Sequence, residues 1–224
     1  MSGWAEFAMA WAAFLASHAI PVRAPVKPWI VARIGAAGFG ICYSALSLAA
    51  LVWLIGAAGR APFVEIWPRA EWQTWVTVAA MVLACQILAF AAFAPNPFSF
   101  GGWRNAGFDP SRAGLLRLTR HPLLAALALW ALGHLAPNGD LSHLLLFGGF
   151  AVFALPGGRI IDRRRRREMG AGAWAEAVAA LRQARGPLAP GNPALRAIAG
   201  LALAGLLIVL HPVVIGLPVL NLPW

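Results

Sequence analysis

The chain has 224 residues, of which 60% are hydrophobic and only 12% charged, about half the charge of an ordinary soluble domain. Its net charge of +10 does not point to nucleic acid, because the arginines are separated by apolar blocks, each long enough to cross a bilayer. A soluble domain and a nucleic-acid binder are excluded; what remains is an all-α, polytopic membrane helix bundle with about six transmembrane helices, in a single domain over residues 1–224.

The first block runs from about Trp4 to Ile20, and the residues before it lack the basic start of a cleaved signal, so it is expected to stay as a span. The linker from Val22 to Arg33 carries Arg23, Lys27 and Arg33 with prolines and no acid, and reads as an irregular loop. A second span is predicted from about Gly35 to Ala58 and a third from about Trp72 to Ala94, with a short loop of mixed charge between them. Pro95 to Gly114 is rich in Gly, Pro, Asn and Phe and reads as a loop or interfacial segment.

Spans four and five form a hairpin within Leu115 to Glu168, joined by the turn Pro137-Asn138-Gly139-Asp140 and closed by the five arginines Arg163 to Arg167, which are expected to halt the second helix at the membrane surface. Trp174, Val178 and Leu181 then recur at i, i+4 and i+7, the pattern of a helix lying on the membrane surface. The last span runs from about Ala197 to Leu217 and leads to an apolar tail ending at Trp224. Sixteen of the eighteen Lys and Arg residues fall in alternate loops, which places those loops in the cytoplasm and both termini outside.

Chemistry rests on the five histidines. Imidazole inside a bilayer is costly and faces a bundle interior or a cavity. His121 stands between Arg120 and Pro122 at a helix start, where lipid phosphate is one partner open to it. His134 and His143 flank the outer turn, where Asn138 and Asp140 offer them local bonds. His211 lies about 14 residues into the last span, roughly 20 Å along its axis. The chain has no HExxH, no CxxC pair and no nucleotide or nucleophile-elbow glycine motif, and Cys42 and Cys85 each sit inside an apolar block as small hydrophobes. Imidazoles on separate helices without hard oxygen ligands suit a b-type haem held between spans. By depth alone, His18 with His121 or His134 with His211 would make the ligand pair.

The stretch TRHPLLAALALWALGHLAPNGDLSHLLLFGGF, followed by Asp162-Arg163-Arg164, with Ser17-His18 and His211-Pro212 at the ends, resembles the NnrU family of bacterial membrane proteins. It also resembles, more distantly, the plant 15-cis-zeta-carotene isomerase. The first resemblance implies a multi-pass protein of the bacterial inner membrane linked to nitric oxide and nitrite metabolism in denitrification. The second implies a haem b and cis-trans isomerisation of a polyene, with the axial metal ligands falling on His18 and His134. Together they make His18, His121, His134 and His211 the cofactor-binding candidates, with Ser17 and Asp140 as second partners for the rings.

The isomerase's alternative cysteine ligand falls on Ala131. The RHP element is similar to that of membrane S-adenosylmethionine-dependent methyltransferases of the isoprenylcysteine carboxyl methyltransferase type. Here Leu123 and Leu124 replace the usual aromatic residue, and Glu168 stands alone where those enzymes carry a pair. The expected readings are thus a haem-dependent isomerase or oxidoreductase, an accessory protein for a nitrogen-oxide reductase, or a methyltransferase. The expected partners are the lipid bilayer, such a reductase or a hydrophobic small molecule, and no nucleic acid.

Overall fold

The computed structural model describes residues 3–100, 105–188 and 191–220. The tail at 221–224 and the glycine pair at 101–102 therefore lie outside the described residues. Among those residues there are seven α-helices and no strand: α1 (Gly3–Ala19), α2 (Val26–Arg60), α3 (Glu71–Ala91), α4 (Pro122–Leu135), α5 (Leu141–Met169), α6 (Ala171–Gln183) and α7 (Pro193–Ile215). The expected all-α membrane bundle is what forms. Helices α2, α3, α5 and α7 are long and apolar enough to cross a membrane. Their outer faces are apolar where a soluble protein would be polar; Val213 is 82% exposed and Val152 72%.

The two other apolar helices are shorter. α1 has 17 residues, at the lower limit for a span, and α4 has 14, which at 1.5 Å per residue covers only about 21 Å of a hydrocarbon core of about 30 Å. α4 starts at Pro122, whose missing N–H costs nothing at a first helical position.

Two segments differ from their predicted form. The linker before the second span is helical from Val26, and α2 runs on to Arg60 across a break at Gly35, whose φ of 73° and ψ of 168° belong to a conformation that only glycine adopts without strain. The arginine run does not end α5, which continues helically through Arg163 to Arg167 as far as Met169. Arginine is a good helix former, and Glu168 pairs with Arg164 at i+4 (2.7 Å) and Arg165 at i+3 (2.9 Å). Gly170, at φ 86°, makes the turn into α6.

The described chain packs as two compact units, Met1–Trp67 with Asp140–Leu146, and Pro68–Gly139 with Phe147–Trp224. In the first, α1 lies on α2 through Phe7, Ala10, Leu54 and Ala57, all nearly inaccessible. Glu6 bridges Arg60, and the Trp53 indole donates to the same carboxylate at 3.4 Å.

In the second unit α3 packs against both α4 and α7. Small residues set the α3–α4 approach: a Cβ on Gly133 would stand 2.6 Å from that of Ala80, and the Thr77 hydroxyl donates to the Gly133 carbonyl at 2.8 Å. Across the other face, Gln86 fills the space over Gly200 and donates to the Ala197 carbonyl at 3.0 Å. Arg196 Nη1 lies 2.7–3.2 Å from the carbonyls of Ala89, Phe90 and Ala92, the orphan acceptors at the α3 C-terminus.

Between α3 and α4 the described residues form three short 3-10 turns, Asn105–Gly107, Pro110–Arg112 and Gly114–Arg117, and α6 packs on the second and third. Phe98, fully buried, meets Trp174 edge-on at 5.6 Å, and Leu116 and Leu181 close the same cluster with Val178 against it. The apolar stripe of α6, expected to face lipid, faces this segment instead. Its period is that of an amphipathic helix in either setting, so the stripe predicts a buried face but not its partner.

Candidate functional site

The histidines divide by what their ring nitrogens already do. His121, at the N-cap of α4, uses both: Nδ1 stands 3.0 Å from the Ser99 hydroxyl and Nε2 2.9 Å from a carboxylate oxygen of Asp162. The same carboxylate takes a two-pronged ion pair from Arg120, and Arg165 reaches the Ser99 carbonyl at 3.4 Å. Asn96 donates to the Arg120 carbonyl at 3.0 Å, and Gly158 gives the imidazole room, since a Cβ there would stand 2.7 Å from His121 Cδ2. The Arg-His pair of the sequence is thus tied to Asp162 on α5. It has no ring nitrogen left for a cofactor, and lipid phosphate is not its partner in this arrangement.

His18, His134 and His211 are built differently. His18 holds Nδ1 2.8 Å from the Phe14 carbonyl, one turn back on α1, with the Ser17 hydroxyl 3.1 Å away. His134 repeats this on α4, with Nδ1 2.8 Å from the Trp130 carbonyl. His211 Nδ1 lies 2.6 Å from the Leu217 carbonyl. A carbonyl can only accept, so each Nδ1 carries the proton and each Nε2 presents a lone pair. None of these three Nε2 atoms has a hydrogen-bond partner among the described residues. This is the tautomer that a metal-ligating imidazole takes, with its other nitrogen fixed by an acceptor.

Aromatic rings hold both rotamers. Phe14 lies 4.2 Å from the His18 ring, with Tyr43 at 6.0 Å, while Phe147 and Trp130 lie 5.1 and 5.5 Å from His134.

Asp140, expected beside a ligand ring, instead bonds His143: Nδ1 to carboxylate at 2.7 Å, with the His143 amide at 3.2 Å and the Ser142 hydroxyl at 2.7 Å. Burial alone would raise its pKa. The Ser142 hydroxyl, the His143 amide and the charge of His143 outweigh burial and hold this carboxyl below the usual aspartate range. On the other side of the turn, Asn138 donates to the His134 carbonyl at 2.7 Å.

A b-type haem asks for free imidazole nitrogens and a space of several hundred cubic ångströms. The donor chemistry of His18, His134 and His211 fits that request. His134 and His211 line one cavity with Thr77, Met81 and Leu207, but its volume of about 120 Å³ admits a few waters and no macrocycle, so these two do not clamp a haem in this conformation. A second cavity of about 620 Å³ has no histidine in its wall. Among the described residues no group of three or more His, Cys, Asp or Glu could hold a metal ion.

Sequence alone indicated the four histidines but not their division, because it depends on Ser99 and Asp162, more than twenty and forty residues from His121 respectively. The Asp162-Arg163 step in the motif was the signal for one of these partners; Ser99 had none.

The family model described as NnrU protein matches residues 6–219, nearly the whole chain, and the chain belongs to that family. No curated protein and no solved structure matches it.

Proposed function

We propose that this NnrU-family membrane protein binds a b-type haem through imidazole Nε2 and serves nitric oxide and nitrite metabolism at the bacterial inner membrane. The observation that carries the reading is the matched pair of rings at His18 and His134, each with Nδ1 held 2.8 Å from the carbonyl of the fourth residue back and Nε2 unspent. An imidazole in a membrane helix with one nitrogen fixed and the other unspent is set up to ligate a metal, and an iron ligand position would take that nitrogen up. When bound, the haem would supply one-electron chemistry at its iron. The protein's part is to fix the tautomer and lock the ring by aromatic packing.

Ala131, fully buried, stands where the isomerase relative has its alternative cysteine, which weighs for fixed imidazole ligation over ligand exchange during polyene isomerisation. The commitment of Arg120 and His121 to Asp162 weighs against a methyltransferase, whose cofactor would need those side chains.

The test is the absorption spectrum of protein produced with ample haem. A Soret band is expected, lost in His18→Ala and in His134→Ala and kept in His121→Ala. A wild-type preparation without the band overturns the reading, and tight S-adenosylmethionine binding in it would install the methyltransferase in its place. Turnover of a nitrogen oxide by the detergent-solubilised protein alone would separate enzyme from accessory subunit.

A further inference from the structure

The 620 Å³ cavity lies in the second unit, where the last turn of α3 meets residues 94–100 and 107–116. Leu88, Phe90, Phe108, Leu115 and Leu123 are among the residues of its wall, and its size falls within the roughly 300–1,000 Å³ of pockets that enclose a small ligand. Asn96, Asp109 and Arg112 are the residues with polar side chains in its lining.

Two of the three are already committed. Asn96 accepts from the Phe98 amide at 3.1 Å and donates to the Arg120 carbonyl at 3.0 Å. One oxygen of Asp109 accepts from the Ser111 amide at 2.9 Å and its hydroxyl at 2.7 Å. Arg112 is exposed, and among the described residues its guanidinium makes neither a hydrogen bond nor a close ion pair, although, after the Ser111 hydroxyl and amide, its charge helps to hold the nearby Asp109 carboxyl below the usual aspartate range. An apolar chamber with a guanidinium at its edge whose N–H donors are unused is complementary to a molecule that is apolar along its length and oxyanionic at one end.

We propose that this cavity is a binding site for an amphiphile with a phosphate or carboxylate head, one alkyl chain lying among Leu88, Phe90 and Leu115 and the head on Arg112. It is separate from the histidines and does not depend on haem. The head belongs either to a lipid of the surrounding bilayer or to a free alkyl phosphate or fatty acid.

The experiment uses the full chain in phosphatidylcholine nanodiscs, titrated with hexadecyl phosphate, hexadecanol and hexadecyltrimethylammonium. The phosphate should bind at least about tenfold more tightly than the ammonium, the worth of one charge-assisted contact. Arg112→Gln should lower phosphate affinity about tenfold and leave hexadecanol binding unchanged, with Arg112→Lys recovering most of the loss. Because Arg112 is exposed, the melting temperature should not move, which confirms that the variant is folded. Leu115→Trp, which fills the chamber, should weaken hexadecyl phosphate and hexadecanol alike. Equal affinity for anion and cation, no response to Arg112→Gln, or no binding of any hexadecyl probe overturns the proposal. Repeating the titration in phosphatidylglycerol nanodiscs identifies the source: competition assigns the site to a bilayer headgroup, and unchanged affinity assigns it to the free amphiphile.

Discussion

The two ends of α4 carry the same side chain in opposite conditions. At the start, His121 has both nitrogens bonded, to Ser99 and Asp162, and serves to tie α4 to α5. At the end, about 20 Å away along the axis, His134 has one nitrogen fixed by the Trp130 carbonyl and the other unspent. The first arrangement holds the hairpin in register; the second is poised to accept a ligand. Histidine in a membrane helix thus says little about role until both of its nitrogens are accounted for.

The strongest way to break this comparison is at Asp162. Replacing it with alanine leaves a partly buried guanidinium and an imidazole without their shared acceptor, so Asp162→Ala should cost about 3 kcal/mol, at the low end for a buried pair because the cluster is partly open to solvent. Thermal unfolding in detergent reads this; an unchanged midpoint would remove the cluster's anchoring role. His121→Ala should follow at about 2 kcal/mol, from the Ser99 hydroxyl left without its imidazole and the bond lost to Asp162, which keeps Arg120, while leaving any Soret band in place.

The helix contacts come next. Gly158→Ala drives a methyl into the His121 ring and Gly133→Ala drives one into Ala80, each costing about 2 kcal/mol in the same assay. Thr77→Val removes the donor to the Gly133 carbonyl and should cost about 1 kcal/mol.

The smallest expected effect is at the outer turn. The Asp140 carboxyl is held below its ordinary range, so its contribution is complete above the unfolded value of about 3.9 and fades as pH falls through the lower folded value. An acid titration of stability should therefore show a modest loss below about pH 4 that Asp140→Asn abolishes. A loss of the same size in that variant would assign it to another carboxylate.

The helices were legible because a continuous apolar block has one stable form in lipid, with every backbone group bonded inside the segment. Helical pattern alone did not reveal the break at Gly35, since a glycine inside an apolar block reads equally as a close-packing position. The run Arg163 to Arg167 was read as a boundary because charge marks where lipid ends, yet it does not mark where a helix ends, and α5 passes through it. At the candidate site, residue types were visible and partners were not. Whether His121 is spent depends on two side chains brought by other parts of the chain, and no local spacing encodes that.

Arg196 also bears on the order in which the chain can be made. The carbonyls of Ala89, Phe90 and Ala92 emerge from the ribosome more than a hundred residues before the guanidinium that satisfies them. During synthesis the end of the third helix therefore has only water or lipid headgroups for its last acceptors, and it settles when the final helix arrives. A nascent chain stopped before Pro193 would leave that helix end open to proteolysis, and release of the full chain would close it.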